Sequence, residues 1–248
     1  NDAAAEGIVG RKRVSLESPV EIVPFAFQPE HVGRVQLGAE VAPLDGEITN
    51  ENNRAVQEVD VIDNALRLMY VAYEPTWEWR FVKEVFHRDK LVGLDGFRTY
   101  LASSDPRVRE SNDVFLTALT PPRREFFAFD VLLLDDMPRA ELTDRFGQRV
   151  REFVGRFGGG LVVMAGPRFG PAELAGTPLA DMLPVLVDPD ARLRDDRPFR
   201  LQLTPHSARY PFMRLGESDV ENTKAWNNLK QLPWYQPVAQ LHASGYAL

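Results

Sequence analysis

The stretch of this sequence that most constrains its fold is GLVVMAGPRFG, residues 160–170. The first half is an apolar run of the kind found in a strand that is covered on both faces of a parallel sheet. The second half, from Gly166 to Gly170, has the spacing of a tight turn on which many α/β enzymes hold a nucleophile. The middle residue of this turn is Arg168, and a protonated guanidinium cannot attack a substrate. The run therefore predicts an α/β fold that lacks the chemistry expected on it.

Composition excludes several function classes. The 248 residues suffice for one large domain or two smaller ones, and the net charge of −7 argues against binding nucleic acid or an anionic membrane through bulk charge. The chain has no cysteine, which excludes disulfides, thiolate metal ligands and cysteine nucleophiles. Its 4 histidines are scattered, so we do not expect a histidine metal site or a metal cofactor. No apolar run reaches the roughly 18 residues of a membrane span.

Residues 1–64 are predicted to form a small, incomplete β-sandwich-like segment. Short alternating runs of apolar and polar residues, typical of half-buried strands, occur at 14–16, 20–23, 25–27, 35–37 and 56–62. Clusters of turn-forming residues separate them. The chain begins without a signal-peptide pattern or an initiator methionine, and we expect it to be a piece of a longer protein.

Residues 65–248 are predicted to form a second domain in which strands and helices alternate. Strands are predicted at 66–73, 91–101, 129–135 and 161–165, helices at 77–86 and 142–157, and a polar loop at 103–112. Such β-α-β order implies right-handed crossovers and a doubly wound, mostly parallel sheet. Further along, we predict a short helix at 177–183, begun by Thr177 and Pro178, and strands at 184–187, 199–203 and 238–241.

Several of these runs resemble a known family. The motifs are RLMYV at 67–71, WEWRFVK at 77–83, FDVLLLD at 129–135, GGGLVVMAGP at 158–167 and AGTPLADMLP at 175–184. They are similar to the class-I glutamine-amidotransferase-like domain, in the non-catalytic version found in large bacterial membrane-anchored proteins that also carry von Willebrand factor A modules. Residues 50–54 resemble the last hairpin of the β-sandwich that precedes this domain. The resemblance covers most of residues 50–240.

The resemblance implies a flavodoxin-like α/β domain without activity. Active members carry Gly-x-Cys-x-Gly at the elbow and a histidine and a glutamate later in the chain. Here Gly166 and Gly170 remain, but Arg168 replaces the cysteine. The position of a late His-Pro pair is taken by Tyr210-Pro211, with His206 close by. These departures predict a pseudoenzyme with a vestigial elbow.

The residues at the predicted strand ends allow two kinds of binding site. Glu74, Asp135 and Asp136 follow predicted strands and could form an acidic pocket for Mg²⁺ or Ca²⁺. Alternatively, Asp136 starts a turn and Glu74 caps the next helix, which we favour. Arg168 could bind an anion on the glycine turn, or it could form a salt bridge to Glu74 or Asp135 that closes the vacated site, and we favour the bridge.

Aromatic residues offer a third possibility. Exposed Trp77 and Trp79 could form a platform for carbohydrate or peptide, but two residues apart on a helix they cannot share one face. Trp226, Trp234 and Tyr235 are expected to fill a core. Glycine-rich dinucleotide and P-loop motifs are absent from the sequence, so a nucleotide cofactor is not expected.

We therefore expect a non-catalytic scaffold or interaction module of a larger, membrane-anchored, extracytoplasmic bacterial protein, whose partners are other domains of that protein or other proteins. The alternative is a hydrolase or lyase that uses Glu74, Asp135 and Asp136. A sugar-binding module ranks third.

Overall fold

The computed structural model describes residues 7–15, 23, 25, 29, 31–44, 46–47, 49, 51–61, 65–243 and 245–248, without the side chains of 208 and 209. The chain divides into two compact units, Asn1–Asn64 and Ala65–Leu248. Within these described ranges, no helix is both long and apolar enough to cross a membrane.

The first unit contains an antiparallel hairpin of β1 (Gly33–Glu40) and β2 (Arg54–Val61), with a 3-10 turn at Glu51–Asn53. One face pairs Val35 with Val59, and the other carries ion pairs such as that of Arg34 with Asp60 at 3.1 Å. This alternation is the pattern that predicted strands at 35–37 and 56–62.

The other runs predicted as strands in this unit, at 14–16, 20–23 and 25–27, are only partly described. Val14 and Ser15 are described and lie outside any strand. Most of the predicted strand region at 20–27 falls outside the described residues.

The second unit is built on a parallel sheet. Its strands are β3 (Leu68–Ala72), β4 (Phe97–Leu101), β5 (Val131–Asp135) and β6 (Gly160–Met164). The order across the sheet is β4-β3-β5-β6 and every neighbouring pair is parallel. The prediction of an α/β fold with a mostly parallel sheet is confirmed at this level.

Six α-helices and several short elements complete the described part of the second unit. The α-helices are α1 (Trp77–Arg88), α2 (Gly93–Gly96), α3 (Pro106–Ser111), α4 (Arg123–Phe126), α5 (Asp144–Phe157) and α6 (Asp219–Asn227). A small antiparallel pair joins β7 (Val185–Leu186) to β8 (Gln240–Leu241). Short 3-10 helices occur at Arg139–Glu141, Pro171–Leu174, Ala180–Met182, Pro205–Arg209 and Pro211–Met213.

Successive side chains of a strand point to opposite faces of the sheet, and in this sheet apolar side chains pack on both faces. Both faces are therefore covered by packed side chains. Strand β3 is buried along its whole length. Its Tyr70 packs with the inner side of α1 on one face, and its Met69 and Val71 pack with α5 on the other. Burial on both faces explains why the strands read as continuous apolar runs in the sequence.

Helix α5 begins two residues after the predicted start at 142 and ends at the predicted residue 157, and both ends have identifiable causes. The Thr143 hydroxyl accepts a hydrogen bond from the Phe146 backbone N–H at 3.2 Å, which caps the first turn. At the other end, Gly158 adopts a left-handed φ of 70°, which glycine tolerates. Phe146, Val150 and Phe153 lie one or two turns apart and form its buried stripe.

Several predicted elements are wrong in detail. The loop expected at 103–112 contains α3, which Asp105 caps by accepting from the Arg107 N–H at 2.8 Å. The helix expected at 177–183 is reduced to the 3-10 turn Ala180–Met182. The strand expected at 199–203 is a single bridge between Phe199 and Leu232. Helix α2 occupies part of the strand expected at 91–101.

The buried stripe of α5 yields a stability prediction. Phe153 is buried and packs edge-to-face on Phe126 at 5.8 Å between ring centroids. Phe153→Ala is expected to lower the free energy of unfolding by about 3–5 kcal/mol, because it leaves a cavity. The control is Phe81→Ala, at a side chain 66% exposed, which should lose less than about 1 kcal/mol in the same urea titration. Equal losses would contradict this account of the core.

Candidate functional site

The candidate site lies where the carboxyl ends of β3, β5 and β6 meet. The chain leaves β3 toward α1 on one face, and it leaves β5 toward α5 on the other. A crevice opens at such a switch point in parallel sheets, and ligands of α/β proteins bind there. In this protein the turn that follows β6 carries Arg168 to the crevice.

Arg168 joins the ends of two strands. Its guanidinium lies 3.0 Å from the Glu74 carboxylate, which follows β3, and 3.6 Å from the Asp136 carboxylate, which follows β5. The rings of Tyr73 and Phe169 contact the same guanidinium, at 5.4 and 5.2 Å from their centroids. These contacts hold the side chain over the strand ends, although 41% of it remains exposed. The predicted salt bridge to Glu74 is present, and the second partner is Asp136 instead of Asp135.

Asp136 is the most constrained residue of the site. Its side chain is only 2% exposed, and its backbone has a φ of 39°, which is unusual for a residue other than glycine. One carboxylate oxygen accepts the backbone N–H groups of Arg168 at 3.2 Å and Phe169 at 2.7 Å. The other oxygen has no hydrogen-bond donor among the described residues and faces only the guanidinium. A buried carboxylate of this kind requires a nearby cation.

The two elbow glycines are explained by packing. A Cβ on Gly166 would lie 2.1 Å from the Asp136 carboxyl group, and a Cβ on Gly170 would lie 2.5 Å from the Gln236 side chain. Gln236 in turn donates a hydrogen bond to the Gly166 carbonyl at 3.0 Å. The Gly-x-x-x-Gly spacing therefore allows the turn to close against two side chains.

Asp135 belongs to a different environment. Asp135 is the last residue of β5, and its carboxylate accepts hydrogen bonds from the Tyr70 hydroxyl and, at 3.4 Å, from Thr76. Burial is the main reason that the pKa of Asp135 is raised, and the hydrogen bond from Tyr70 partly opposes it. Burial and the same contact also raise the pKa of Tyr70.

The three predicted carboxylates therefore do not share one site. Glu74 and Asp136 meet on Arg168, whereas Asp135 meets Tyr70. Within the described ranges, no group of three or more histidine, cysteine, aspartate or glutamate side chains could hold a metal ion. Glu74 does not cap α1 as favoured, because the cap is the Thr76 hydroxyl, which accepts the Trp79 N–H at 3.1 Å.

A polar groove of about 540 Å³, which we call the elbow groove, adjoins the glycine turn at residues 166–170, the elbow of this unit. Its charged walls are Arg168 and Arg192 with Glu173 and Asp195, and Gln236 contributes an amide. None of the residues lining this groove is a serine, threonine, cysteine, histidine, lysine or tyrosine. The lining of this groove thus includes no hydroxyl, thiol or imidazole that could replace the missing nucleophile or its base.

Other sequence candidates lie elsewhere. The His206 ring packs at 5.3 Å from that of Tyr246. Trp79 joins the core and donates to the Thr99 hydroxyl at 3.0 Å, while Trp77 is 69% exposed, so the two indoles do not share a face, as expected. Trp226 is half-buried and donates its indole N–H to the Met213 carbonyl at 2.9 Å.

Sequence reasoning missed Tyr70 and Gln236. Tyr70 had a detectable signal, because a tyrosine inside an otherwise apolar buried strand needs a partner for its hydroxyl. Gln236 had none, since it reaches Gly166 across 70 positions of the chain from a segment without regular structure.

Removing the guanidinium tests its role at Asp136. Arg168→Ala is expected to lower the free energy of unfolding by about 1–3 kcal/mol, because a buried carboxylate oxygen loses its cation. The exposed pair with Glu74 should contribute little of this. The matched control is Arg88→Ala, which breaks an exposed 3.3 Å pair with Glu84 and should lose less than about 0.5 kcal/mol. If Arg168→Ala loses as much in an Asp136→Asn background, the proposed coupling is wrong.

The raised pKa of Asp135 predicts a pH dependence. The folded protein binds more protons at this group than the unfolded chain does, between the ordinary carboxyl pKa and the raised value. The contribution of the Asp135 carboxyl group to the free energy of unfolding therefore grows as the pH falls from neutral through the raised pKa. Asp135→Asn removes it while keeping an acceptor for Tyr70. In denaturant titrations, the free energy of unfolding of the variant minus that of the native chain should be largest at neutral pH and should shrink as the pH is lowered. A difference that does not change with pH would contradict the assignment.

Known proteins give no independent indication of function, so a function has to be proposed from the geometry of the site. No protein-family model, curated protein or solved structure matches the chain. The family resemblance of the sequence motifs therefore remains a prediction.

Proposed function

We propose that residues 65–248 form a flavodoxin-like, class-I glutamine-amidotransferase-like domain that has lost its catalytic chemistry. We propose that it acts as a scaffold or interaction module of a larger, membrane-anchored, extracytoplasmic bacterial protein. The observation that carries this proposal is Arg168, which occupies the elbow and is bound to Glu74 and Asp136. The strand end at which a nucleophile would meet its substrate is instead occupied by an ion pair.

The strand order supports the fold part of the proposal. If the four strands of this sheet are numbered 1 to 4 along the chain, starting from β3, their order across the sheet is 2-1-3-4. Flavodoxin-like sheets begin with the same order, and their ligands bind at the same switch point. The fold would thus have kept the crevice of an enzyme while the residues in it changed.

One observation favours a hydrolase or lyase as the second candidate. Asp135 has a raised pKa at the end of a central strand, and perturbed carboxyl groups are common in active sites. The same side chain is 2% exposed and is bound to Tyr70, and burial is the largest cause of the raised pKa, so a structural position accounts for most of the perturbation. We therefore rank the non-catalytic module first.

A glutaminase assay tests the proposal. The purified chain is expected to release no ammonia from glutamine above the buffer rate, with an active amidotransferase as the positive control. Arg168→Ala should behave identically, because none of the residues lining the groove is a cysteine, serine or threonine that could attack the amide. Turnover by the native chain that disappears in Arg168→Ala and persists in Arg88→Ala would refute the pseudoenzyme assignment. Ester or phosphate hydrolysis lost in Asp135→Asn would favour the second candidate.

A further inference from the structure

A small apolar pit lies on the second unit, outside the elbow groove. It has a volume of about 230 Å³, and we call it the Trp226 pit. It is lined by Arg200, Leu201, Trp226, Asn227, Leu229, Lys230, Gln231 and Leu232. The walls come from the C-terminal end of α6 and from the segments joined by the bridge between Phe199 and Leu232.

The walls of the pit are held by hydrogen bonds on several sides. The indole N–H of Trp226 donates to the Met213 carbonyl at 2.9 Å, which fixes the ring. The Arg200 guanidinium donates to the carbonyls of Asn227 and Leu229, both at 3.0 Å, and so caps the end of α6. Pre-formed walls reduce the ordering entropy that a partner would have to overcome.

The lining combines apolar surface with charge of one sign. Leu201, Leu229 and Leu232 are each between 38 and 47% exposed. The only charged residues of the lining are Arg200 and Lys230, although the whole chain carries a net charge of −7. In the part of the chain that the structure describes, neither forms a salt bridge.

We propose that the Trp226 pit binds a partner segment that inserts one large apolar side chain flanked by carboxylates. The volume suits an aromatic ring, since a cavity of about 150 Å³ accommodates benzene. Carboxylates on either side of that ring would meet Arg200 and Lys230, which supplies the charge complementarity that orients a partner. Tryptophan and arginine are also the residues that most often dominate binding energy at interfaces. This proposal does not depend on the loss of catalysis at the elbow.

The experiment uses defined peptides and the full chain. Fluorescein-labelled Glu-Glu-Phe-Glu-Glu is titrated with protein and followed by fluorescence polarisation, beside Glu-Glu-Ala-Glu-Glu and Lys-Lys-Phe-Lys-Lys. We expect the first peptide to bind with a Kd of about 1 mM or lower and the other two to bind at least about tenfold more weakly. Affinity should also fall with added salt, because the flanking charges are exposed.

Two variants and one matched control locate the binding. Lys230→Glu is expected to weaken binding at least about fivefold by reversing the charge at the rim. Leu201→Asp should weaken peptide binding more than Lys230→Glu does. Circular dichroism is used to check that this variant folds. Lys224→Glu makes the same charge change on α6 at an exposed residue outside the lining and should leave the Kd within about twofold.

Specific results would overturn the proposal. Equal binding of the phenylalanine and alanine peptides, or an unchanged Kd in both Lys230→Glu and Leu201→Asp, would exclude the pit as the site. Absence of peptide binding together with self-association that Leu201→Asp abolishes would make the pit an interface between copies of the chain instead. None of these results bears on the glutaminase assay, so the two proposals fail separately.

Discussion

The buried carboxylate of Asp136 is the group on which the arrangement of the strand ends depends. It is almost excluded from water, and its two oxygens are compensated by two backbone N–H groups and one guanidinium. These partners belong to the turn after β6, so the charge ties that turn to the end of β5. Because Arg168 also reaches Glu74 beyond β3, one arginine links three neighbouring strands. A site closed in this way is suited to a structural role, since moving Arg168 away would leave the buried carboxylate of Asp136 without a cation.

The geometry of this site follows from covering both faces of the sheet. Helix α1 packs on one face and α5 on the other, so the connections diverge beyond the ends of β3 and β5. Two carboxylates and an arginine then occupy the space in which α/β proteins bind ligands. The segments after β6 contain little regular structure and build the elbow groove and the Trp226 pit instead. The groove with Arg168 in its lining lies beside the strand ends, while the ends themselves are occupied.

Much of the second unit could be predicted because its elements have local signals. The apolar runs at 66–73 and 129–135 contain β3 and β5, and the stripe of α5 follows helical spacing. The helix Pro106–Ser111 was missed although Asp105 and Pro106 are helix-start residues, because six residues give little periodicity. Residues 199–203 alternate like a strand, but only Phe199 finds a bridging partner. Alternation describes a side-chain pattern and does not supply the neighbouring strand.

The sequence by itself determined the segments that form β3, β5, β6, α1 and α5, the glycine turn and the absence of a cysteine nucleophile, since each depends on residues adjacent in the chain. The sequence suggested a bridge from Arg168 to Glu74 or Asp135, but the tertiary structure alone decided that Asp136 is its second partner and that Asp135 pairs with Tyr70. The physical reason is strand geometry. Register brings distant residues to one edge of the sheet, and the chain leaves the extended conformation at Asp136, whose φ is 39°, so two consecutive aspartates meet different partners.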